Sequence, residues 1–417
     1  MTVTFKTFRS GVGDCIFLLL QSEKEQQFSI MVDCGAYEDA IQKFVKDKLN
    51  GEIDLLIVTH IDNDHIMGVS EMLSDRIKVK KGIIFNSYKR NGGKEETINL
   101  NESQIVRLRA IERKIGIIVE DIISPVVTYS AKSAIRDLST TILSNPKLKE
   151  IWEREYTTSG TQLDLNEWGM ITFLSPTTTE LDNLDSEFRQ VLFDELNIDK
   201  AMGEWDKKEQ LFEILLRYAT LHESELSMAS MSKMMIEPEK EMAIDASDVV
   251  SLEDRLLKAS EESVKTKQIT PANQASLAFV WEKDGHRILI MGDANPDIVV
   301  EGLKKHYETL NEEAPTPVIF DAIKVSHHGS HYNTTSDLVK CADSKHYFFT
   351  GGEEGKRPSE AAVGRIVLST LPNGVRKRTL HFNFGTSLVK ELRNNKDLMG
   401  KYGFSVETKK NELKFKI

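Results

Sequence analysis

The chain has 417 residues, of which 40% are hydrophobic and 29% charged, and its formal net charge is −11 at pH 7. This composition is ordinary for a globular protein, and a core of this size needs no disulfides. The three scattered cysteines, Cys15, Cys34 and Cys341, argue against a disulfide scaffold and indicate a reducing compartment. The apolar run at residues 15–20 is too short to span a bilayer and lacks the basic front of a signal peptide. We therefore expect a cytoplasmic protein with no membrane partner.

The N-terminal part predicts strands that alternate with helices. Short β-branched or apolar runs broken by glycine and charge predict strands, and a continuous apolar run predicts a strand buried on both faces. The predicted strands are residues 3–8, 15–21, 28–33, 54–59 and 82–86. Helical spacing of apolar residues predicts helices at residues 40–49, 66–73 and 102–113.

The middle of the chain is less regular than its two ends. A strand is predicted at residues 170–174, followed by two helical patterns within residues 185–222. Residues 223–250 lose periodicity, and methionines lie there among Ser, Lys and Glu, which predicts a flexible or cleavable segment. Further on, strands are predicted at residues 275–281, 287–291, 318–325, 347–350, 378–384, 404–408 and 413–417, with helices at 296–307 and 359–370. The pattern as a whole fits two sheets between helices.

Charge is distributed unevenly along the chain. Residues 181–260 hold 19 acidic and 9 basic side chains, whereas residues 371–417 hold 4 acidic and 11 basic ones. This asymmetry predicts a near-neutral catalytic body with an acidic insertion and a basic C-terminal end. The alternative is that both stretches are simply solvated faces.

Potential metal ligands are concentrated directly after the buried strand at residues 54–59. Residues 59–68 read Thr-His-Ile-Asp-Asn-Asp-His-Ile-Met-Gly, which puts His60, Asp62, Asp64 and His65 within six residues. Strand ends are where α/β folds present chemistry, and imidazole with carboxylate suits Zn²⁺, Mn²⁺ or Fe²⁺. Two ligand pairs in one loop predict two metals, about 4 Å apart. The alternative is a solvated acidic loop that happens to contain histidines.

The His-x-Asp-x-Asp-His loop resembles the metal-binding motif of the metallo-β-lactamase superfamily, in particular the branch related to the competence protein ComEC/Rec2. Further segments match that branch in the same order. They are residues 11–15 (Gly-Val-Gly-Asp-Cys), 30–35 (Ile-Met-Val-Asp-Cys-Gly), 273–277 with 288–293, and 324–330 (Lys-Val-Ser-His-His-Gly-Ser). The resemblance covers about residues 1–90 and 265–385.

The resemblance implies a fold and a domain organisation. We expect an α/β protein with the metallo-β-lactamase αββα sandwich and a largely helical acidic insertion. Residues 1–125 would form the first half of the hydrolase domain and residues 266–417 the second half, with the basic C-terminal end. Residues 126–265 would form the insertion.

The resemblance also implies roles for individual residues. His60 and Asp62 would bind the first metal, Asp64 and His65 the second, and Asp293 would bridge both. His327 is favoured as the remaining ligand, although His328 is the alternative. Catalytic roles are expected for Asp64, His65 and His328, and Asp33 would orient the metal loop.

One departure from the superfamily pattern bears on the choice of metal. The usual additional histidine between the loop and Asp293 is not evident, and Asn273 is a neutral candidate for its place. An oxygen-rich ligand set favours Mn²⁺ beside Zn²⁺, with Mg²⁺ as a third candidate. No other cofactor is expected.

The predicted function is metal-dependent phosphodiester hydrolysis with DNA as substrate. It depends on the resemblance and on basic clusters at residues 376–378 and 409–410. Arg357 stands where the branch often has His before Pro-Ser, and a cation there could bind an anion. The alternatives are a hydrolase of small phosphoesters, lactones or other esters, and a non-catalytic scaffold.

The insertion predicts regulation. Its acidic residues 181–260 would shield the site, so a protease or regulatory protein acting on them would release activity. Similar stand-alone chains occur beside proteases in bacterial defence clusters, which makes a defence role a further hypothesis.

Overall fold

A computed structural model of the chain describes residues 1–75, 77–86, 138, 141–142, 145–153, 155–184, 250–264, 266–308, 317–408 and 411–416. The predicted helix at residues 102–113, the helical patterns within 185–222 and nearly all of the predicted flexible segment 223–250 lie outside these ranges. So do the paired lysines at positions 409–410.

The first sheet has six strands in the order β16-β1-β2-β3-β4-β5. The strands β1, β2, β3 and β16 pair antiparallel, whereas β3, β4 and β5 run parallel to one another. Their bounds are β1 Thr2–Thr7, β2 Ile16–Gln21, β3 Gln27–Val32, β4 Glu52–Val58, β5 Lys78–Phe85 and β16 Glu412–Lys416.

The second sheet has eight strands in the order β15-β14-β13-β11-β9-β8-β7-β6. From β9 to β15 the pairing is parallel, and from β6 to β9 it is antiparallel. Their bounds are β6 Gln162–Asp164, β7 Met170–Ser175, β8 Ala278–Lys283, β9 His286–Ile290, β11 Ala322–Lys324, β13 His346–Phe349, β14 Arg378–Phe382 and β15 Phe404–Glu407. Two short strands, β10 Val318–Phe320 and β12 Ala342–Ser344, form a separate parallel pair.

Helices cover the outer faces of both sheets. Those that follow strands of the first sheet are α1 Asp39–Lys48, α2 Asn63–Ser74 and α3 Pro146–Ile151. The others are α4 Leu252–Glu261, α5 Pro271–Gln274, α6 Pro296–His306, α7 Ser336–Cys341, α8 Glu360–Leu368, α9 Ser387–Asn394 and α10 Lys396–Tyr402. None of the helices in the described part of the chain combines the length and apolar character needed to cross a bilayer.

The buried apolar residues separate into three clusters that follow the layers. One lies between the sheets and includes Phe5 from β1 and Phe348 from β13, whose ring centroids are 4.7 Å apart. A second joins the first sheet to α1, α2 and α3, and the third joins the second sheet to its own helices. Central strands such as β4 are buried over almost all of their length because both faces of the sheet are covered, whereas the edge strands β6 and β16 keep exposed residues. The predicted αββα sandwich of the metallo-β-lactamase fold is confirmed.

Two predicted strands are corrected by the structure. The run at residues 318–325 is two strands, because Asp321 interrupts the strand. Its carboxylate accepts a hydrogen bond from the Arg287 amide at 2.9 Å. The strand predicted from residue 275 begins only at Ala278, because the short helix α5, which Thr270 caps at its start, extends to Gln274.

Part of the predicted insertion belongs to the sandwich. The strands β6 and β7 lie at one edge of the second sheet, and β7 pairs with β8. Within the predicted range 126–265, residues 162–164 and 170–175 are therefore strands of the second sheet. At the far end of that range, α4 packs on α8, where the Arg255 guanidinium bonds Glu360 at 2.8 Å.

Candidate metal centre

The candidate site lies where strands of both sheets end. The loop with His60, Asp62 and Asp64 follows β4, and His65 lies in the first turn of α2. From the second sheet, Asp293 follows β9, while His327 and His328 follow β11. The carboxyl ends of parallel strands meet at one edge of a sheet, so segments distant in sequence converge there.

Four histidines surround Asp293, with their Nε2 atoms 3.5 to 3.9 Å from its carboxylate oxygens. His65 and His327 lie at 3.5 Å, and His60 and His328 lie at 3.9 Å. Asp293 and the side chains of His60, His65 and His328 are buried, whereas that of His327 is 14% exposed.

Every one of these histidines is held through its other ring nitrogen. The Nδ1 atom of His65 lies 2.8 Å from Asp33 Oδ2, and that of His60 lies 3.0 Å from Thr59 Oγ1. In the second sheet, Nδ1 of His327 is held by Asn333 Oδ1 at 2.9 Å and Nδ1 of His328 by the Thr350 carbonyl at 2.8 Å. These partners accept from Nδ1–H and orient the rings, so that the Nε2 atoms of all four rings face Asp293.

The two aspartates of the loop lie close to different histidines. Asp62 Oδ2 lies 3.6 Å from His60 Nε2. Asp64 Oδ2 lies 3.8 Å from His65 Nε2 and 3.2 Å from His328 Nε2. The structure thus brings the residues predicted as ligands to one place, although Asp64 Oδ2 lies nearer to His328 Nε2 than to the Nε2 atom of its predicted partner His65.

Close backbone packing fixes the metal loop against the first sheet. The Asp14 amide donates to the Asp64 carbonyl at 3.2 Å, and a Cβ atom on Gly13 would lie 1.7 Å from that carbonyl oxygen. Only glycine permits this approach. The Gly-x-Gly-Asp turn is therefore a platform for Asp64.

The two adjacent histidines of the second sheet adopt an unusual backbone conformation. His327 and His328 have φ values of 49° and 56°, in the left-handed region that side-chain-bearing residues rarely adopt. Such strain persists where surrounding contacts enforce it, and the His327 amide donates to the Gly292 carbonyl at 3.0 Å. The turn brings two consecutive imidazoles to one carboxylate.

The polar atoms at the centre fit a divalent metal. Among the described residues, His60 Nε2, Asp62 Oδ1, His65 Nε2 and Asp293 Oδ1 are buried without a hydrogen-bond partner. Leaving such atoms unsatisfied costs about 1–3 kcal/mol each. Imidazole nitrogen and carboxylate oxygen are the ligands of Zn²⁺ and Mn²⁺ in proteins, so one or more such ions would satisfy all four atoms.

Burial and neighbouring charges separate the ionisation of the two adjacent histidines. Burial, assisted by the Arg357 guanidinium, lowers the pKa of His327 to about 3. Burial also acts against protonation of His328, but Asp14 and Asp293 outweigh it and raise the pKa of His328 to about 9. The pKa of Asp293 lies well below its usual range despite its burial, because the surrounding histidines stabilise the carboxylate.

Two buried residues next to the centre were assigned no role from the sequence. Asp14 and Lys324 form an ion pair, and neither side chain is exposed. The sequence held a signal for Lys324, since a lysine follows the apolar pair Ala-Ile in a predicted strand, two residues before Ser-His-His. Asn273, the neutral candidate for the missing histidine, is buried and its Oδ1 atom has no partner among the described residues.

The other described histidines lie in structural contacts. Asp321 lies 3.1 Å from His286, and Glu282 lies 2.6 Å from His306. The ring of His381 stacks on Phe348 with centroids 4.4 Å apart.

The predicted basic cluster at residues 376–378 does not line the centre. Arg378 is wholly buried and pairs with Asp343, so the interpretation of its side chain as a phosphate contact was wrong. Arg376 and Lys377 are exposed, but they precede β14. They therefore lie at the amino ends of the parallel strands, whereas the site lies at the carboxyl ends. The five residues of β14 separate the two ends of the strand by about 13 Å.

Arg357 is the cation next to the centre. Its guanidinium is near enough to act on the pKa of His327, and the side chain is partly exposed. The following residues pack on the histidine turn, since the Ser359 amide donates to the Gly329 carbonyl at 2.9 Å. Within the described ranges, no carboxylate forms an ion pair with Arg357, so its charge is available to a ligand.

One family model matches part of the chain. Residues 16–121 match the family model described as Metallo-beta-lactamase superfamily, which is about a quarter of the chain. No curated protein matches. Among solved structures, the chain is similar to the metallo-beta-lactamase fold protein YhfI from Bacillus subtilis, at 10% identity and a TM-score of 0.36 over 100% of both chains. It is also similar to a mutant of CmlA beta-hydroxylase, at 8% identity and a TM-score of 0.35, over 99% of this chain and 54% of that one.

At such identities and TM-scores, neither solved structure informs the substrate. The family match over residues 16–121 agrees with the metallo-β-lactamase fold of the two sheets. The narrower resemblance to the ComEC/Rec2-related branch stays a prediction.

Proposed function

We propose that this chain is a metal-dependent phosphodiesterase that uses two divalent ions and cleaves DNA. The observation that carries the proposal is the arrangement of four imidazole Nε2 atoms within 3.9 Å of the Asp293 carboxylate, each ring held by Nδ1. A histidine whose Nδ1 is hydrogen-bonded and whose Nε2 has no partner, as in His60 and His65, is typical of a metal ligand.

The proposed ligand set follows the contacts. His60 and Asp62 would hold one ion, Asp64 and His65 would hold the other, and Asp293 would be a ligand of both. His327 completes the set, with His328 as the alternative. When bound, such ions polarise a phosphoryl oxygen and lower the pKa of water. Zn²⁺ and Mn²⁺ suit these ligands best, and Mg²⁺ is the third candidate.

The protein's own residues position the reacting groups. Asp64 has 26% of its side chain exposed, so it can accept a hydrogen bond from the attacking water. His328 fixes Asp64 from behind at 3.2 Å, and Asp33 fixes His65 at 2.8 Å. Arg357, at the rim, would bind an anionic phosphoryl oxygen through charge-assisted hydrogen bonds.

DNA is the proposed substrate because the motifs resemble a branch associated with DNA degradation and because Arg357 offers a charge to the phosphate. A small phosphoester is the second candidate. The position of Arg376 and Lys377 favours it, since these exposed cations lie away from the centre.

Cleavage assays on plasmid and single-stranded DNA with Mn²⁺, Mg²⁺ or Zn²⁺ test the proposal, with bis(4-nitrophenyl) phosphate as the small substrate. Asp64→Ala is the inactive variant and Asp75→Ala the matched control, because Asp75 lies at the far end of α2. Metal-dependent DNA cleavage that Asp64→Ala abolishes and that weakens steeply with salt supports the nuclease. Hydrolysis of the small ester alone, with little salt dependence, supports the second candidate.

The proposal includes control of the enzyme through residues 181–260, on which a protease or regulatory protein would act. In support of this control, the Arg365 guanidinium donates to the carbonyls of Ser260 and Glu262 at the end of α4. It also donates to the carbonyls of His331 and Thr334 beside the histidine turn. The end of the acidic stretch is thus linked to the site. Nicking the chain within residues 223–250 should raise the cleavage rate, and an unchanged rate contradicts this control.

A further inference from the structure

Lys324 and Asp14 form an ion pair that joins the two sheets beneath the metal centre. Lys324 ends β11 in the second sheet, and Asp14 lies in the turn before β2 in the first. Both side chains are wholly buried, and Nζ of Lys324 contacts Asp14 Oδ2 directly. Lysine is almost never fully buried unless it is paired, so this position requires an explanation.

The pair contacts the positions proposed to hold metal. Nζ of Lys324 lies 3.8 Å from Asp293 Oδ1 and donates to the Gly292 carbonyl at 2.9 Å. That carbonyl also accepts from the His327 amide. On the other side of the pair, Asp14 Oδ1 accepts from the Thr350 hydroxyl and lies 3.3 Å from His328 Nδ1.

Charge gives a second reason for a cation at this point. Five carboxylates meet at the centre, those of Asp14, Asp33, Asp62, Asp64 and Asp293. Two divalent ions would balance four of these charges, and Lys324 balances the fifth. An uncompensated buried charge costs several kcal/mol, which a fixed lysine avoids.

We propose that Lys324 is a positioning residue of the metal centre. Through Asp14 it holds the His328 imidazole, and through Gly292 and its own charge it holds the Asp293 carboxylate, so both are arranged before metal binds. This inference rests on the proposed metal-dependent function. The competing explanation is a cross-link between the sheets that matters for stability alone.

Arg378 provides a matched control. Its ion pair with Asp343 is equally buried, with side chains 0% and 2% exposed, and it lies in the same sheet. Its hydrogen-bond partners are Asp343 and the carbonyls of Ser369 and Thr370, none of which is a proposed ligand. Losing either ion pair should therefore destabilise the fold, but only loss of the Lys324 pair should lower the affinity for metal.

The experiment is calorimetric titration of the metal-free full chain with Mn²⁺, together with thermal unfolding. For Lys324→Met we expect at least about a tenfold loss of Mn²⁺ affinity, as for other residues that orient metal ligands. For Arg378→Met we expect a lower Tm and unchanged Mn²⁺ affinity. A Lys324→Met variant that loses only thermal stability overturns the inference.

A double variant covers the case in which Lys324→Met does not fold. Asp14→Asn with Lys324→Met leaves no unpaired charge, so it should fold, yet it should still bind Mn²⁺ weakly because His328 and Asp293 are no longer held. Mn²⁺ affinity equal to that of the wild type in this variant also overturns the inference. If the wild type itself binds no Mn²⁺, the proposed function fails together with this inference, whereas wild-type binding with unaffected variants refutes the role of Lys324 alone.

Discussion

The Nε2 atom of His65 lies 3.5 Å from Oδ1 of Asp293, although His65 belongs to the first sheet's half of the sandwich and Asp293 to the second. Neither half contains a complete ligand set. The centre therefore depends on the packing between the sheets, and residues that fix the ligands from behind should matter nearly as much as the ligands themselves.

Asp33→Asn should weaken metal binding about 10- to 100-fold. The Asp33 carboxylate accepts from His65 Nδ1 at 2.8 Å and from the Thr59 amide and hydroxyl, both at 2.7 Å. An amide cannot accept all three bonds. The loss is measurable by competition for Zn²⁺ with a chromogenic chelator. Asp47→Asn, on the exposed face of α1, is the control and should bind Zn²⁺ as the wild type does.

Metal binding should release protons. In the metal-free protein, Asp14 and Asp293 raise the pKa of His328 to about 9 against the effect of burial, and the pKa of His65 is also raised. A raised pKa means that protons compete with metal below that value, so Mn²⁺ affinity should increase as the pH rises from about 6 to 9. Calorimetry in buffers of different ionisation enthalpy measures the release. Affinity and heat independent of pH and buffer contradict this prediction.

Arg357→Ala should raise KM for a phosphodiester about tenfold and leave the bound metal unchanged. A hydrogen bond to a charged group contributes about 1.5–3 kcal/mol, and Arg357 has no carboxylate partner within the described residues to share it with. Steady-state kinetics with bis(4-nitrophenyl) phosphate and metal analysis check both statements. Lys356→Ala is the control, since Lys356 pairs with Glu353 at 2.7 Å on the surface. An unchanged KM for Arg357→Ala would remove Arg357 from the substrate site.

Asp343→Asn should destabilise the fold by about 3–5 kcal/mol, because it leaves the buried Arg378 guanidinium without its carboxylate. Urea unfolding measures the free energy change. Lys377→Met, one position from Arg378 but exposed, should change it by less than about 0.5 kcal/mol. A loss as large for Lys377→Met would mean that burial of the pair is not the cause.

The sequence predicts the layers and the ligand loop because both are local patterns. The apolar run of β4 followed directly by His-x-Asp-x-Asp-His needs no knowledge of distant contacts. The Thr386 and Asn395 caps of α9 and α10 are equally local, although those two helices were missed.

Pairs between distant strands are invisible at that level. The charge of Arg378 indicates a surface residue until Asp343 is known to lie on a neighbouring segment. In the same way, Lys324 and Asp14 belong to different sheets, and neither local sequence indicates that the two residues pair. The wrong interpretation of Arg378 and the missing role of Lys324 both concern buried ion pairs. Whether a charged side chain can be buried depends on its partner, which the local sequence does not show.

Metal content and hydrolysis in the same samples test the central claim most directly, with wild type compared with Asp293→Asn. Because Asp293 faces all four histidines, we expect two ions per wild-type chain and metal-dependent hydrolysis of bis(4-nitrophenyl) phosphate. Asp293→Asn should lose at least one ion and about 100-fold or more in rate. Equal metal content and equal rates in the two proteins, or full activity of the wild type after chelation, would contradict a metal centre built around Asp293.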